Sequence, residues 1–235
     1  MIWLPSWIHA RKPRIKLAEA DSIRLAALRE LPKIPPHTTL SSLRWVVVDV
    51  ETGGLNPHHD PLLSIGAVEI GDRQIHLGTG FEARLQQQSA TSHANILIHG
   101  LTHKQQLSGR AASDVLLDFA EFSANAPRIA FHAAFDRTAL QGAMQKQLGW
   151  DFPGIWLDAA VVAPLLFPEQ ARHCRHLDDW LAVFNLGNYA RHSAVADALA
   201  TAQLWLVLLE AAQAQHITTL KALESLVRAR KWLNS

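Results

Sequence analysis

Asp49 and Glu51 stand two residues apart at the end of the apolar, β-branched run Trp45–Val50. A strand places residues i and i+2 on the same face, so the two carboxylates project side by side. Like charges on a buried strand are costly unless something positive compensates them, and no lysine or arginine occurs between Trp45 and Ile70. Two further acids stand in similar settings. Asp136 closes the stretch Phe131-His-Ala-Ala-Phe-Asp136, and Asp197 closes His192-Ser-Ala-Val-Ala-Asp197, with no Lys or Arg following until Lys221. Either acid alone reads as an ordinary helix-start aspartate. The four together ask for a common explanation, because strand ends and helix starts of an α/β sheet gather at one edge.

Four oxygen-only ligands point to hard cations, Mg²⁺ or Mn²⁺. Two such ions about 4 Å apart stabilise both the attacking and the leaving oxygen of a phosphodiester displacement. His192 supplies what carboxylates lack, a group able to take a proton near neutral pH. Five residues separate it from Asp197, about 140° on one helix. The two converge only if His192 lies in the loop before the helix, with Ser193 as the N-cap.

The elements that must hold these groups can be read along the chain. Strands are expected over Trp45–Val50, Leu63–Ile70 and Gln74–Phe81, with a turn at Gly71-Asp72, so the three form an antiparallel meander. Shorter strands follow at Arg128–Phe131 and Ile155–Leu157. Helical patterns cover Ala112–Ala124, Asp136–Leu148, Ala159–Leu166, Leu177–Phe184, Ala194–Gln213 and Thr218–Trp232. Three strands followed by strands alternating with helices imply an α/β fold, a mixed five-stranded sheet with helices on both faces.

In front of this body, residues 1–42 read as a basic helical arm and linker, with the domain proper spanning 43–235. Residues 1–44 hold eight Lys/Arg against three acids, a balance of +5, whereas the remainder balances at −4. A basic arm on an acidic body could touch a polyanion, and ordinary surface charge explains it equally well. The arm's helix, Ile15–Leu31, ends at Pro32 and has an apolar face of Leu17, Ala20, Ala27, Leu28 and Leu31, with Arg24 as the one misfit. That face suggests a partner-binding or self-associating helix. The single cysteine, Cys174, suits a reducing compartment, the charges of the N-terminus follow its apolar part in an order wrong for a secretory signal, and no apolar run is expected to span a bilayer. A cytoplasmic protein without a membrane role is the expectation.

The three acidic segments carry a resemblance. Asp49-Val-Glu51-Thr52-Gly-Gly-Leu55, then Phe135-Asp136, then His192-x4-Asp197 resemble, in order and spacing, the three motifs of the DEDDh 3′-5′ exonucleases, a family that includes the proofreading epsilon subunit of bacterial DNA polymerase III. Ile98-His-Gly-Leu-Thr102 resembles a further segment, and the match runs over about Arg44–Leu209. The resemblance implies a ribonuclease H-like fold and removal of nucleoside monophosphates from the 3′ end of a nucleic acid, single-stranded DNA before others. It implies Asp49, Glu51 and Asp197 around a first metal, Asp49 bridging to a second, Asp136 on the second partly through water, and His192 as the general base. It also implies Thr52 and Leu55 against the terminal nucleotide, with Leu55 wedging the base, and His99 near the substrate. The family's second motif opens with His-Asn, where this chain has Phe131 and His132; His132 could still donate a hydrogen bond to the substrate strand.

Other readings compete. RNA ends or short oligoribonucleotides would use the same catalytic residues, because sugar choice depends on the pocket at the 2′ position. A non-catalytic scaffold predicts loss of at least one of the five site residues, and all five are present. His58-His59-Asp60 has adjacent ligands and no cysteine, which suits a loop better than zinc. Asp158 reads as a helix cap, Asp178 and Asp179 as a solvated face, and Arg191, beside His192, as a phosphate contact.

Overall fold

The computed structural model describes residues 15–87, 107–187 and 193–233. Its sheet has five strands, β1 (Trp45–Thr52), β2 (Leu62–Gly71), β3 (Gln74–Arg84), β4 (Arg128–Ala130) and β5 (Trp156–Asp158), in the order β3-β2-β1-β4-β5. β1, β2 and β3 pair antiparallel, whereas β4 and β5 join the other side of β1 in parallel. The meander and the mixed sheet expected from the sequence are both present. Each early strand runs a few residues longer than its apolar run, because edge and end positions tolerate polar side chains that periodicity discards.

Alternation along β1 divides two apolar layers. Val46, Val48 and Val50 belong to one, with α2 (Ala112–Ser123) and α3 (Ala134–Leu148); Trp45 and Val47 belong to the other, with α4 (Ala159–Leu166), α5 (Leu177–Val183), α6 (Ala194–Ala214) and α7 (Leu220–Leu233). Helices therefore cover both faces. Trp45 and Trp205 meet edge to face at 5.5 Å, and Trp45, Trp180 and Trp205 are wholly buried, as core tryptophans rather than stacking platforms.

One expectation is corrected by α6. Its 21 residues are long and apolar enough to cross a bilayer, with Asp197 and Glu210 as its only charges. Alanine masks this in the sequence, since no unbroken run of large apolar residues exists. Ala200, Ala202, Trp205, Leu208 and Ala212 are buried in the core layer that α6 shares with β1.

The arm forms α1 (Glu19–Arg29), shorter at both ends than its pattern. The face it buries matches the expected one only in part: Leu28 enters the core and Leu17 packs against it, joined by Leu25, while Ala20, Ala27 and Leu31 are exposed. Arg24, the misfit, is an anchor, donating to Asp118 at 2.6 Å and to Glu121 at 2.7 Å on α2. The following proline-rich stretch is stitched to the start of α7, with Leu40 N–H to Thr218 O at 2.9 Å, Leu220 N–H to Thr38 O at 3.0 Å and Lys221 N–H to Pro36 O at 2.8 Å.

Arg128 on β4 is buried. Its guanidinium lies 4.0 Å over the Phe152 ring and 5.4 Å from that of Trp156, and donates to Pro153 O at 2.7 Å. Nε and Nη1 have no hydrogen-bond partner among the described residues, and burial pulls the group's pKa down to about 10. Gly154 covers it: a Cβ there would stand 1.7 Å from Nη2, and its φ of +148° independently favours glycine.

Candidate active site

The site lies where β4 stops short of β1. Parallel pairing ends at Val47 with Ile129, and β4 itself ends at Ala130, so β1 runs on past its neighbour toward Thr52. The Val50 N–H lies beyond this paired stretch. It is taken instead by the Asp136 carboxylate at 3.1 Å, from the first turn of α3. Asp136 is thereby buried at the sheet's end, although it comes from the layer opposite to the side chains of Asp49 and Glu51.

Asp49 and Glu51 sit half-buried on the α6 side of β1. Asp197, in the first turn of α6, completes a group in which one carboxylate oxygen of each residue lies within 4.8 Å of the others. Such an approach requires the start of α6 to press on the sheet. Gly66 on β2, register partner of Asp49, provides the room: a Cβ there would stand 2.1 Å from Val195 N and 2.2 Å from Ala194 C.

Electrostatically the site is unfinished. Among the described residues no Lys or Arg pairs with Asp49 or Glu51. Burial, reinforced by Asp136, Glu51 and Asp197, pushes Asp49 well above the usual carboxylate range. Burial and then Asp197 push Glu51 up to about 7. Burial also lifts Asp136 to about 7, against the pull of its N–H donors, with Asp158 and Glu51 adding to the rise. A cluster of anions that holds protons in the absence of a cation is a site suited to a cation. Its all-oxygen donor set fits a hard divalent metal.

The remaining expected residues divide. Thr52 is buried, its hydroxyl donating to Gly54 O at 2.6 Å, which folds the loop after β1. Leu55 in that loop is 82% exposed. His132 is exposed, edge-on to Phe131 at 4.8 Å between ring centres, in a left-handed conformation with φ of +65°. His99, Arg191 and His192 lie outside the described residues. Asp60 braces its own loop by accepting the Asn56 N–H at 2.7 Å, as suits a turn rather than a zinc site. Asp179 is corrected from solvated face to cap, accepting from the N–H groups of Arg175 and His176 at 2.8 Å each.

Comparison with known proteins identifies the family of the chain. The chain is 30% identical over 189 residues to a DNA polymerase III PolC-type protein of Thermotoga petrophila, covering 80% of this chain and 14% of that one. It is 30% identical over 195 residues to a DNA polymerase III subunit epsilon-like protein of Rhodobacter capsulatus, covering 82% and 27%. The chain thus spans about a quarter or less of these relatives' length. Among solved structures it resembles E. coli exonuclease I in complex with single-stranded DNA, with a TM-score of 0.62 at 15% identity over 74% of this chain and 42% of that one. It equally resembles exonuclease X in complex with 5′ overhanging duplex DNA, with a TM-score of 0.62 at 19% identity over 78% and 99%. These two likenesses show that the chain shares the fold of these exonucleases, in keeping with the mixed five-stranded sheet expected from the sequence. A family model described as exonuclease matches residues 46–205, from β1 through Asp197 into α6, and the chain belongs to that exonuclease family.

Proposed function

We propose that this chain is a metal-dependent 3′-5′ exonuclease that hydrolyses DNA from its 3′ end and releases nucleoside monophosphates. The observation that carries the reading is the convergence of Asp49, Glu51 and Asp197 to within 4.8 Å at the end of β1, with Asp136 beside them on the Val50 N–H. Two Mg²⁺ or Mn²⁺ ions would supply the positive charge this cluster lacks, and would stabilise the attacking and leaving oxygens of the phosphodiester.

The chain's own residues take the remaining roles. Asp49, Glu51 and Asp197 would hold the cations, whose charge would offset that of the reacting phosphodiester. Asp136 spends one oxygen on the Val50 N–H, and its other oxygen would be left to help hold a cation. His192, five residues before Asp197, accepts the proton of the attacking water. Thr52 shapes the loop that presents Leu55, and the exposed Leu55 side chain wedges against the terminal base. His99, His132 and Arg191 contact the substrate strand.

DNA is preferred as substrate because the relatives are named for DNA polymerase III and the structural neighbours were seen with DNA. Service to a polymerase would follow the same relatives, with the surface of α1 as a candidate contact. The test is degradation of a 5′-labelled single-stranded DNA and its RNA counterpart with Mg²⁺ or Mn²⁺, with Asp49→Ala as control. Shortening from the 3′ end, lost in the variant and on chelation with EDTA, is expected, with DNA the faster substrate. Faster RNA cleavage would make the chain an exoribonuclease or oligoribonuclease; cleavage of neither, under any divalent metal, would favour a nucleic-acid-binding scaffold.

A further inference from the structure

We propose that Asp158 is a positioning residue for Asp136, acting through the backbone of His132; the inference rests on the exonuclease reading of the site. Ala130 and Asp158 are register partners at the ends of β4 and β5, where the two chains part into the turn before α3 and into α4. One oxygen of Asp158, Oδ1, accepts the Ala160 N–H at 2.9 Å and the His132 N–H, also at 2.9 Å. A helix cap for α4 needs only the first of these bonds. The second reaches across to the neighbouring strand's turn.

That turn has reason to need a tether. His132 is in the left-handed region, φ +65°, where a residue with a side chain persists only if its surroundings hold it. Its carbonyl accepts the Phe135 N–H at 3.0 Å, so the placement of His132 fixes the entry into α3. One residue further on is Asp136, whose carboxylate meets the Val50 N–H at 3.1 Å. The links run from Asp158 to His132, to the first turn of α3, to Asp136, to β1. Because the tether grips an N–H group, it is indifferent to the side chain at 132. This accounts for Asp136 keeping its place although the chain carries Phe131-His132 where the family has His-Asn.

The experiment follows the Val50 amide by hydrogen exchange in the whole 235-residue chain, metal-free and well below its melting temperature, with the β1 amides paired to β2 as reference. Mn²⁺ binding is measured by calorimetry alongside. In Asp158→Ala, Val50 exchange should rise selectively, Mn²⁺ affinity should fall about tenfold or more, and kcat should drop with KM nearly unchanged. Asp158→Asn, which keeps an acceptor oxygen, should restore all three. Asp158→Ser keeps a good cap for α4 on a shorter side chain, so it should lose the Val50 protection without unfolding the helix. Parent-like Val50 exchange and Mn²⁺ affinity in the Ala or Ser variant would overturn the proposal, reducing Asp158 to a cap even if the melting temperature falls. Exchange and calorimetry need no substrate, so a chain that cleaves nothing would sink the exonuclease reading while the tether is still decided.

Discussion

Gly66 faces Asp49 across the β1–β2 pairing, and the side chain it lacks is the space into which the backbone of Ala194 and Val195 fits. The catalytic candidate on β1 and the one on α6, Asp197, are brought together by an absence on β2. Gly66→Ala should therefore push the start of α6 off the sheet, costing about 1–3 kcal/mol through overpacking. It should weaken Mn²⁺ binding far more than an alanine at Gly78, whose Cβ would meet nothing. Thermal melts and calorimetry of the two variants check this; equal affinities would remove Gly66 from the site's architecture.

Asp49→Asn separates function from stability. Turnover should be abolished, because a carboxylate of the proposed cation site is neutralised. The metal-free protein should become more stable near pH 8, because the raised proton affinity of Asp49 comes from burial and three neighbouring carboxylates, and an amide relieves that repulsion. Melting temperatures of the metal-free parent and variant decide it. A less stable variant would mean the carboxylate is held by favourable contacts.

The pH dependence has a definite sign. In the folded, metal-free protein Glu51 and Asp136 keep their protons up to about 7, whereas unfolded carboxylates lose them near about pH 4. Between those values the folded state binds more protons than the unfolded one, so stability falls as pH rises. The metal-free chain should melt higher at about pH 5 than at about pH 8, and added Mg²⁺ or Mn²⁺ should raise the melting temperature more at the higher pH, with proton release on binding. Scanning fluorimetry across pH, with and without metal, shows the outcome. A metal-induced shift that is larger at the acid end would contradict a carboxylate cluster as the binding site.

For α1, truncation tests docking in cis. Arg24→Ala should cost about 1 kcal/mol, the upper range for partly exposed ion pairs, because it loses both Asp118 and Glu121. A chain beginning at Leu43 should lose considerably more, since it uncovers the core against which Leu25 and Leu28 pack and frees the strand-like contacts with α7. Denaturant melts measure both. Unchanged stability on truncation would return α1 to the role of a free arm.

The chemistry was the most legible part of the sequence. Asp49 and Glu51 could be placed on one face from the two-residue period alone, and Asp136 and Asp197 fell at helix starts where signals are local. What stayed hidden depends on contacts between distant segments. Arg24 looked like a blemish on an apolar face because its acids lie some ninety residues away. Gly66 looked like any glycine in a strand, and its meaning arises only from α6. Asp158 could be read as a cap from its position, but its second bond joins two turns that only the sheet makes neighbours. The apolar length of α6 escaped notice because alanine carries so much of it.

Arg128 and Gly154 have a consequence of another kind. A guanidinium fills the place where any other residue at 154 would put its first side-chain carbon, and among the described residues the arginine is held by two rings and one carbonyl. Each residue is thus the condition of the other's survival. A mutational walk through this fold should find the two positions coupled, with change at 154 costing more while Arg128 stands and still strained by the +148° φ once the arginine is gone.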